Sequence, residues 1–266
     1  MRWIGLKQIR PFLAGAVLAC SGLTPAFAEV DNKPDRGPYV RMGVGLQWPD
    51  FDVLQDQNCA GSDPPALFGC GQGDDGRGLG AYGEFETGAV VDAAIGYRWT
   101  TWLRTEALMH WSPHLELNAQ SNFLGAGTNQ PVTATGYALA GFGVIYVDGP
   151  SLASMRPYVG AGLGASRTQL GDVTYRFPGI SQNSFTRARG GSASSLAYLL
   201  TAGVSLPLSE RLDLDLAYRW TDLGTVKTRA GTARIQRPNR KLNLEVGGTD
   251  LDLKSQSVLA SLRWRF

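Results

Sequence analysis

The ten residues Ser257–Phe266 read SVLASLRWRF, and their period decides the fold. Val258, Ala260, Leu262, Trp264 and Phe266 share one side of an extended chain. Ser257, Ser261, Arg263 and Arg265 share the other, with Leu259 as the exception. A helix would group residues three and four apart, whereas a repeat of two describes a strand with one apolar and one polar face. The question is which solvent each face meets.

The same period recurs along the chain. In PYVRMGVGLQW, Val40, Met42, Val44, Leu46 and Trp48 oppose Arg41, Gly43, Gly45 and Gln47. Over 84–99, Ala89, Val91, Ala93, Ile95, Tyr97 and Trp99 oppose Glu84, Glu86, Asp92 and Arg98. WLRTEALMHW sets Leu103, Ala107, Met109 and Trp111 against Arg104, Glu106 and His110. VTATGYALAGFGVIYV is a fourth strand, with Ala138, Ala140, Phe142, Val144 and Tyr146 taken as its apolar face. RPYVGAGLGASRTQL and SLAYLLTAGVSL follow, the latter with Leu196, Tyr198, Leu200, Ala202, Val204 and Leu206 together. RLDLDLAYRW opposes Leu212, Leu214, Leu216, Tyr218 and Trp220 to Asp213, Asp215 and Arg219. With the closing segment this makes eight strands. Gly- and Asp-rich or otherwise irregular stretches at 49–83, 112–131, 170–193 and 222–249 read as long loops, and the three remaining links are short.

The composition narrows the setting. Lys plus Arg is 25 and Asp plus Glu is 23, so no charge excess points to nucleic acid. Residues 1–28 differ from the rest: Arg2, Lys7 and Arg10 precede an apolar run and a small-residue AFA site, which reads as a cleaved signal peptide. Lipid modification at Cys20, after VLA, is the rival reading. Cleavage after Ala28 leaves 22 cations against 23 anions, and leaves Cys59 and Cys70 as a pair. Their spacing lacks the CxxC form of a zinc site and no histidine is near, so a loop disulfide is expected rather than free thiols. Residues 29–37 are a polar lead-in, and 38–266 form one all-β domain.

No apolar run after residue 28 reaches the ~18 residues of a membrane helix. Strictly alternating long and short connections are, however, what an up-and-down transmembrane β-barrel needs. Hydrocarbon cannot hydrogen-bond a free sheet edge, so such a sheet must close. The tryptophans agree. Trp48, Trp111 and Trp220 fall at the long-loop strand ends, and Trp99, Trp102 and Trp264 at the short-turn ends. Indole favours the two membrane interfaces. The apolar face of SVLASLRWRF therefore meets lipid and its arginines point inward.

RPYVGAGLGAS, RLDLDLAYRWTDLG and the terminal LRWRF resemble the opacity-type outer-membrane proteins, the eight-stranded surface-antigen family that includes relatives of the outer-membrane A barrel. The resemblance implies a Gram-negative outer-membrane location with both termini periplasmic. It implies an adhesin, antigen or envelope-stabilising role, and in some members a small channel. Phe266 resembles the signal that the barrel assembly machinery recognises. Outer-membrane lipid, lipopolysaccharide and host or environmental surface ligands are the partners expected.

An eight-stranded barrel has an interior just wide enough for side chains. The inward set is Arg41, Glu84, Glu86, Asp92, Arg98, Arg104, Glu106, His110, Asp213, Asp215, Arg219, Arg263 and Arg265. Buried charges are costly unless paired, so a salt-bridged plug is expected, with a narrow water-filled porin as the alternative. A more remote alternative rests on MHWSPH, locally similar to lipid A deacylating barrels that use His, Ser and Glu. His110 and Ser112 share parity and Glu116 is the acid nearby, but Pro113 interrupts the strand and no HxSN phrase follows. No catalytic site is assigned. Two histidines without clustered cysteines or carboxylates make no metal site, and no cofactor is expected. Lys227, Arg229, Arg234, Arg237, Arg240 and Lys241 make the last long loop a candidate polyanion surface.

Overall fold

A computed structural model describes residues 36–266. The signal peptide, Cys20 and nearly all of the 29–37 lead-in lie outside the described residues. Strands β1 (Gly37–Asp50), β2 (Gln55–Asp56), β3 (Ala81–Phe85), β4 (Gly88–Arg98), β5 (Leu103–Ser121), β6 (Pro131–Asp148) and β7 (Arg156–Leu170) make the first half. Strands β8 (Val173–Arg176), β9 (Phe185–Ala188), β10 (Gly191–Pro207), β11 (Leu212–Lys227), β12 (Gly231–Arg237), β13 (Arg240–Val246) and β14 (Thr249–Arg265) follow.

Eight of these strands close a ring of antiparallel pairs in the order β1, β4, β5, β6, β7, β10, β11, β14 and back to β1. In the closing pair, Val40 faces Trp264 and Leu46 faces Val258. The links β4–β5, β6–β7 and β10–β11 lie at one end, with Gly37 and Arg265. The other end carries four long connections, two of which form hairpins of their own, β8–β9 and β12–β13.

The ring strands are too long for a membrane alone. A tilted strand crosses in about 9–11 residues, yet β5 has 19, β6 18, and β10 and β14 17 each. The outward face of β14 shows where the boundary lies. Val258, Ala260, Leu262 and Trp264 follow Asp250, Asp252, Lys254 and Gln256 along it. Trp48 and Trp220 flank Gln256 from the two neighbouring strands. Trp264, eight residues further along β14, lies about 26 Å away along the strand at ~3.3 Å per residue, and tilt brings that to roughly the height of an outer-membrane apolar band. Lipid-facing side chains in this belt are well exposed: Ile95 67%, Leu163 75%, Val44 62%.

Below the boundary, toward the short turns, the interior is charged. Above it the pattern inverts. Leu115, Leu117, Leu223, Val226, Leu251 and Leu253 are buried inside, while His114, Asn118, Gln120, Lys227 and Lys254 face out. The barrel thus has a membrane storey, polar inside and apolar outside, and an external storey built like a soluble barrel.

Two strand readings are corrected by this arrangement. Residues 112–121 and 222–227 are strand rather than loop, and past a register shift in each the polarity is reversed. Register shifts at Ser112/Leu115 and Asp222/Gly224 turn the alternation over, the first beside Pro113 and the second at Gly224, whose φ is +74°. The apolar face assigned to the fourth strand was one residue out of register. Ala138, Ala140, Phe142, Val144 and Tyr146 point inward, and Tyr137, Leu139, Ile145 and Val147 face lipid. Both faces of that strand are apolar, so period alone could not choose between them.

Candidate functional site

Three features stand where function could reside: the lumen of the membrane storey, the mouth of the external storey, and the outer faces of its hairpins.

The lumen is braced from wall to wall. Glu106 on β5 accepts from Arg41 Nη2 at 2.6 Å and Nε at 3.1 Å, from Tyr39 Oη at 3.1 Å and from Tyr146 Oη at 3.0 Å. Asp92 on β4 accepts from Arg219 Nη1 of β11 at 2.6 Å and contacts His110 Nδ1 at 2.9 Å. Asp148 takes Arg104 Nε at 3.0 Å and Arg98 Nη2 at 3.1 Å. Arg263 Nη2 meets Asp213 at 3.0 Å and Asp215 at 3.3 Å, and Arg265 Nε meets Asp213 at 3.4 Å. Arg104 on β5 also reaches Asp215 on β11 at 3.8 Å. Those two strands are four places apart in a ring of eight, so this ion pair spans the full width of the lumen. The Arg104 guanidinium also lies 4.5 and 4.6 Å from the ring centres of Tyr146 and Tyr158. Arg41, Arg98, Arg104, Arg219 and Arg263 balance Asp92, Glu106, Asp148, Asp213 and Asp215, and all ten are buried. Sequence reasoning missed Asp148 because it ends β6 beside a link. It puts Tyr146 on the lipid side and assigns neither Tyr39 nor Tyr158.

Glu84 and Glu86 do not belong to this network. Both are exposed at the outer rim, where Glu86 accepts from Asn118 Nδ2 at 2.7 Å. Parity turns over between β3 and β4, and buried Phe85 takes the inward place against Phe51.

The hydrolase constellation is not assembled. His110 and Ser112 do share the inward face, but Ser112 Oγ donates to Gln47 Oε1 at 2.9 Å and His110 is held by Asp92. Glu116 lies beyond the register shift on the outward side, 3.5 Å from His114 Nε2. Both inward groups are fully buried, which leaves a lipid substrate no approach.

The mouth is closed by the first long connection. Cys59 and Cys70 are joined in a disulfide there. Asp56 gathers the same loop by accepting three successive backbone N–H bonds, from Leu67 at 2.9 Å and from Phe68 and Gly69 at 2.6 Å each. This brings Phe68 down onto Phe123, stacked at 4.8 Å, and edge-on to Tyr175 at 5.6 Å. Burial pushes the Tyr175 hydroxyl well above its ordinary pKa. A side tether runs from Asn122 Nδ2 to Asp75 at 2.9 Å. The Asn122 bond, with those from Arg77, holds the Asp75 carboxyl at about 2.

The aromatic girdles lie as expected on the outside. Trp48, Trp99, Trp102, Trp111 and Trp264 are between 44% and 54% exposed, and Trp220 is half-buried against Tyr198. Phe266 continues the outward parity of Trp264. The six cations of the last connection are not one cluster. Arg234 and Lys241 face outward on the β12–β13 hairpin. Arg237 turns onto the Phe177 ring at 4.5 Å, and partial burial lowers its pKa. Arg240 is at the tip, and Lys227 and Arg229 are at the base.

No curated protein matches the chain. Among solved structures the chain is similar to Neisserial surface protein A, at 16% identity over 86% of this chain and 97% of that one, TM-score 0.41. It is similar to OprG of Pseudomonas aeruginosa, at 14% over 86% and 97%, TM-score 0.47. It is also similar to the outer membrane protease OmpT of Escherichia coli, at 10% over 88% and 97%, TM-score 0.45. The model of the outer membrane protein beta-barrel domain matches residues 12–266, and the chain belongs to that family, whose place is the Gram-negative outer membrane.

Proposed function

We propose that this protein is a non-enzymatic, non-conducting surface protein, whose barrel serves as an anchor and whose external storey serves as an interaction surface. The long-loop end then faces the cell exterior, among lipopolysaccharide, and both termini face the periplasm. The observation that carries the reading is the Arg104–Asp215 contact across the lumen at 3.8 Å, among five buried arginines and five buried carboxylates. A second closure, the Phe68 cap, stands above it. A small porin would need a continuous wet path past both. Charges so enclosed are retained only when paired, and each of the ten has an opposite charge within 4 Å.

Planar-bilayer recording on the detergent-purified protein tests this reading. The expected result is a flat baseline at every voltage applied. Reproducible ohmic steps that scale with salt would establish a pore and overturn it.

A further inference from the structure

We infer that the outward face of the sheet β8–β9–β12–β13 is a binding site for phosphorylated or sulfated saccharide, shared between two hairpins. The inference rests on the surface-protein reading above and adds the ligand class and the residues.

The register brings together cations that the sequence keeps apart. Arg187 on β9 lies directly opposite Arg234 on β12. Arg176 and Lys241 occupy the next outward row, separated by Phe185 and Gln236. Arg176, Arg187, Arg234 and Lys241 are all exposed. Directly opposed like charges destabilise a strand pair, and cross-strand positions normally take opposite charges. Among the described residues no carboxylate lies within ion-pair distance of Arg187 or Arg234. Glu245 is on the same face one row away, opposite Thr232, and an oxygen of Asp172 is taken by the Gly190 amide at 3.2 Å.

The face cannot relieve itself by turning over. The opposite side of the same strands carries buried Val173, Tyr175, Thr186, Ala188 and Ala233, which pack into the mouth. The repulsion is therefore held in place by the fold, and a ligand with several anionic groups relieves it.

The rest of the face describes that ligand. A recess of about 240 Å³ lies beside Arg234, lined on this face by Phe185, Gln236, Lys241 and Asn243 and at its edge by Ile235 and Leu242. An arginine fork binds phosphate or sulfate oxygens in pairs. Opposed cross-strand positions stand roughly 5 Å apart and alternate residues along a strand roughly 7 Å apart, so the site suits anionic groups repeated at that interval. The Gln236 and Asn243 amides can bond hydroxyls, and the Phe185 ring offers an apolar plane. Together these suit a charged sugar better than a bare polyphosphate.

The test uses the full chain in nanodiscs of zwitterionic lipid, with dextran sulfate as the free saccharide and purified lipopolysaccharide as the glycolipid. Neutral dextran and single-stranded DNA of equal charge serve as comparisons. Binding to dextran sulfate or lipopolysaccharide is expected, falling steeply with salt, and whichever binds tells whether the saccharide comes from solution or from the membrane. R187S/R234S should weaken binding at least about tenfold and flatten the salt dependence, since two charge-assisted contacts are lost. R237S/R240S, which leaves the face intact, should bind as wild type. Unchanged affinity in R187S/R234S, or an equal loss in R237S/R240S, overturns the site. DNA binding as tightly as dextran sulfate overturns the saccharide assignment. A wild type that binds neither probe overturns the inference alone, because bilayer recording decides the closed-barrel reading separately.

Discussion

Neutralising Glu106 distinguishes a dry, braced lumen from a wet one, because the two settings predict costs of different size. In Glu106→Gln the side chain keeps its shape and one acceptor for Tyr39 or Tyr146, but Arg41 loses its counter-charge at 2.6 Å and is left with Asp92 at 3.8 Å. Breaking a buried pair by removing one partner costs about 3–5 kcal/mol. The same pair in a water-filled pore would behave as an exposed one, worth about 0–1 kcal/mol. Arg41→Met should cost a similar amount, because Glu106 is then left with only Arg104 at 3.8 Å among its cations. Arg41→Met/Glu106→Gln removes both charges and should recover most of the loss, giving a coupling of several kcal/mol. Urea titration of the protein in lipid vesicles, followed by tryptophan fluorescence, reads the effect. With a slope of about 2 kcal/mol/M, a loss of 4 kcal/mol moves the midpoint by roughly 2 M. Single variants within about 1 kcal/mol of wild type, with an additive double, would refute the dry-lumen argument.

Three further outcomes follow from the external storey. Asp56→Ala leaves three backbone amides without their acceptor, so limited proteolysis should cut between Cys59 and Cys70, with fragments that separate on a gel only after reduction. A cap as resistant as wild type would show that Asp56 does not hold it. Leu117→Ala, at a fully buried site of the upper storey, should cost about 2–5 kcal/mol and sensitise the 122–130 link to protease while the lower barrel stays protease-resistant. Equal loss in both would argue against two separable storeys. Tyr175 has a folded-state pKa raised by burial, so its stabilising contribution is complete below the unfolded value and is lost as pH rises beyond about 10. Loop proteolysis should therefore increase at alkaline pH in wild type and much less in Tyr175→Phe.

The membrane storey was legible in the sequence because lipid enforces one rule on every strand. Val40 to Trp48, Ala89 to Trp99 and Val258 to Phe266 alternate with polar partners, and the structure puts each apolar set outside. Most inward Asp, Glu and Arg follow in the same way, Glu84, Glu86 and Asp148 being the exceptions, since a narrow lumen lined from eight strands forces them into contact. Which pairs meet was not legible. The partners of Glu106 come from β1 and β6, and that of Asp92 from β11, so the pairing depends on ring closure rather than on local spacing.

The external storey is hard to read from sequence for a physical reason. Above the Trp48–Gln256–Trp220 row the outer solvent changes from hydrocarbon to water. The same ladder of hydrogen bonds must then carry the opposite polarity. Leu115 and Leu117 turn in, and His114 and Asn118 turn out. A strand can reverse its faces by inserting or dropping a residue, and the shifts at Ser112/Leu115 and Asp222/Gly224 do so at this boundary. Alternation judged by lipid rules stops there, so strand was taken for loop. Charge counted along one segment failed similarly: it joined Arg237 to Arg234, which point to opposite faces, and missed Arg187, which lies across the ladder. An anchor needs only the lower storey. The ladders carried beyond the membrane, the capped mouth and two arginines fixed face to face are what the proposed interaction surface would use.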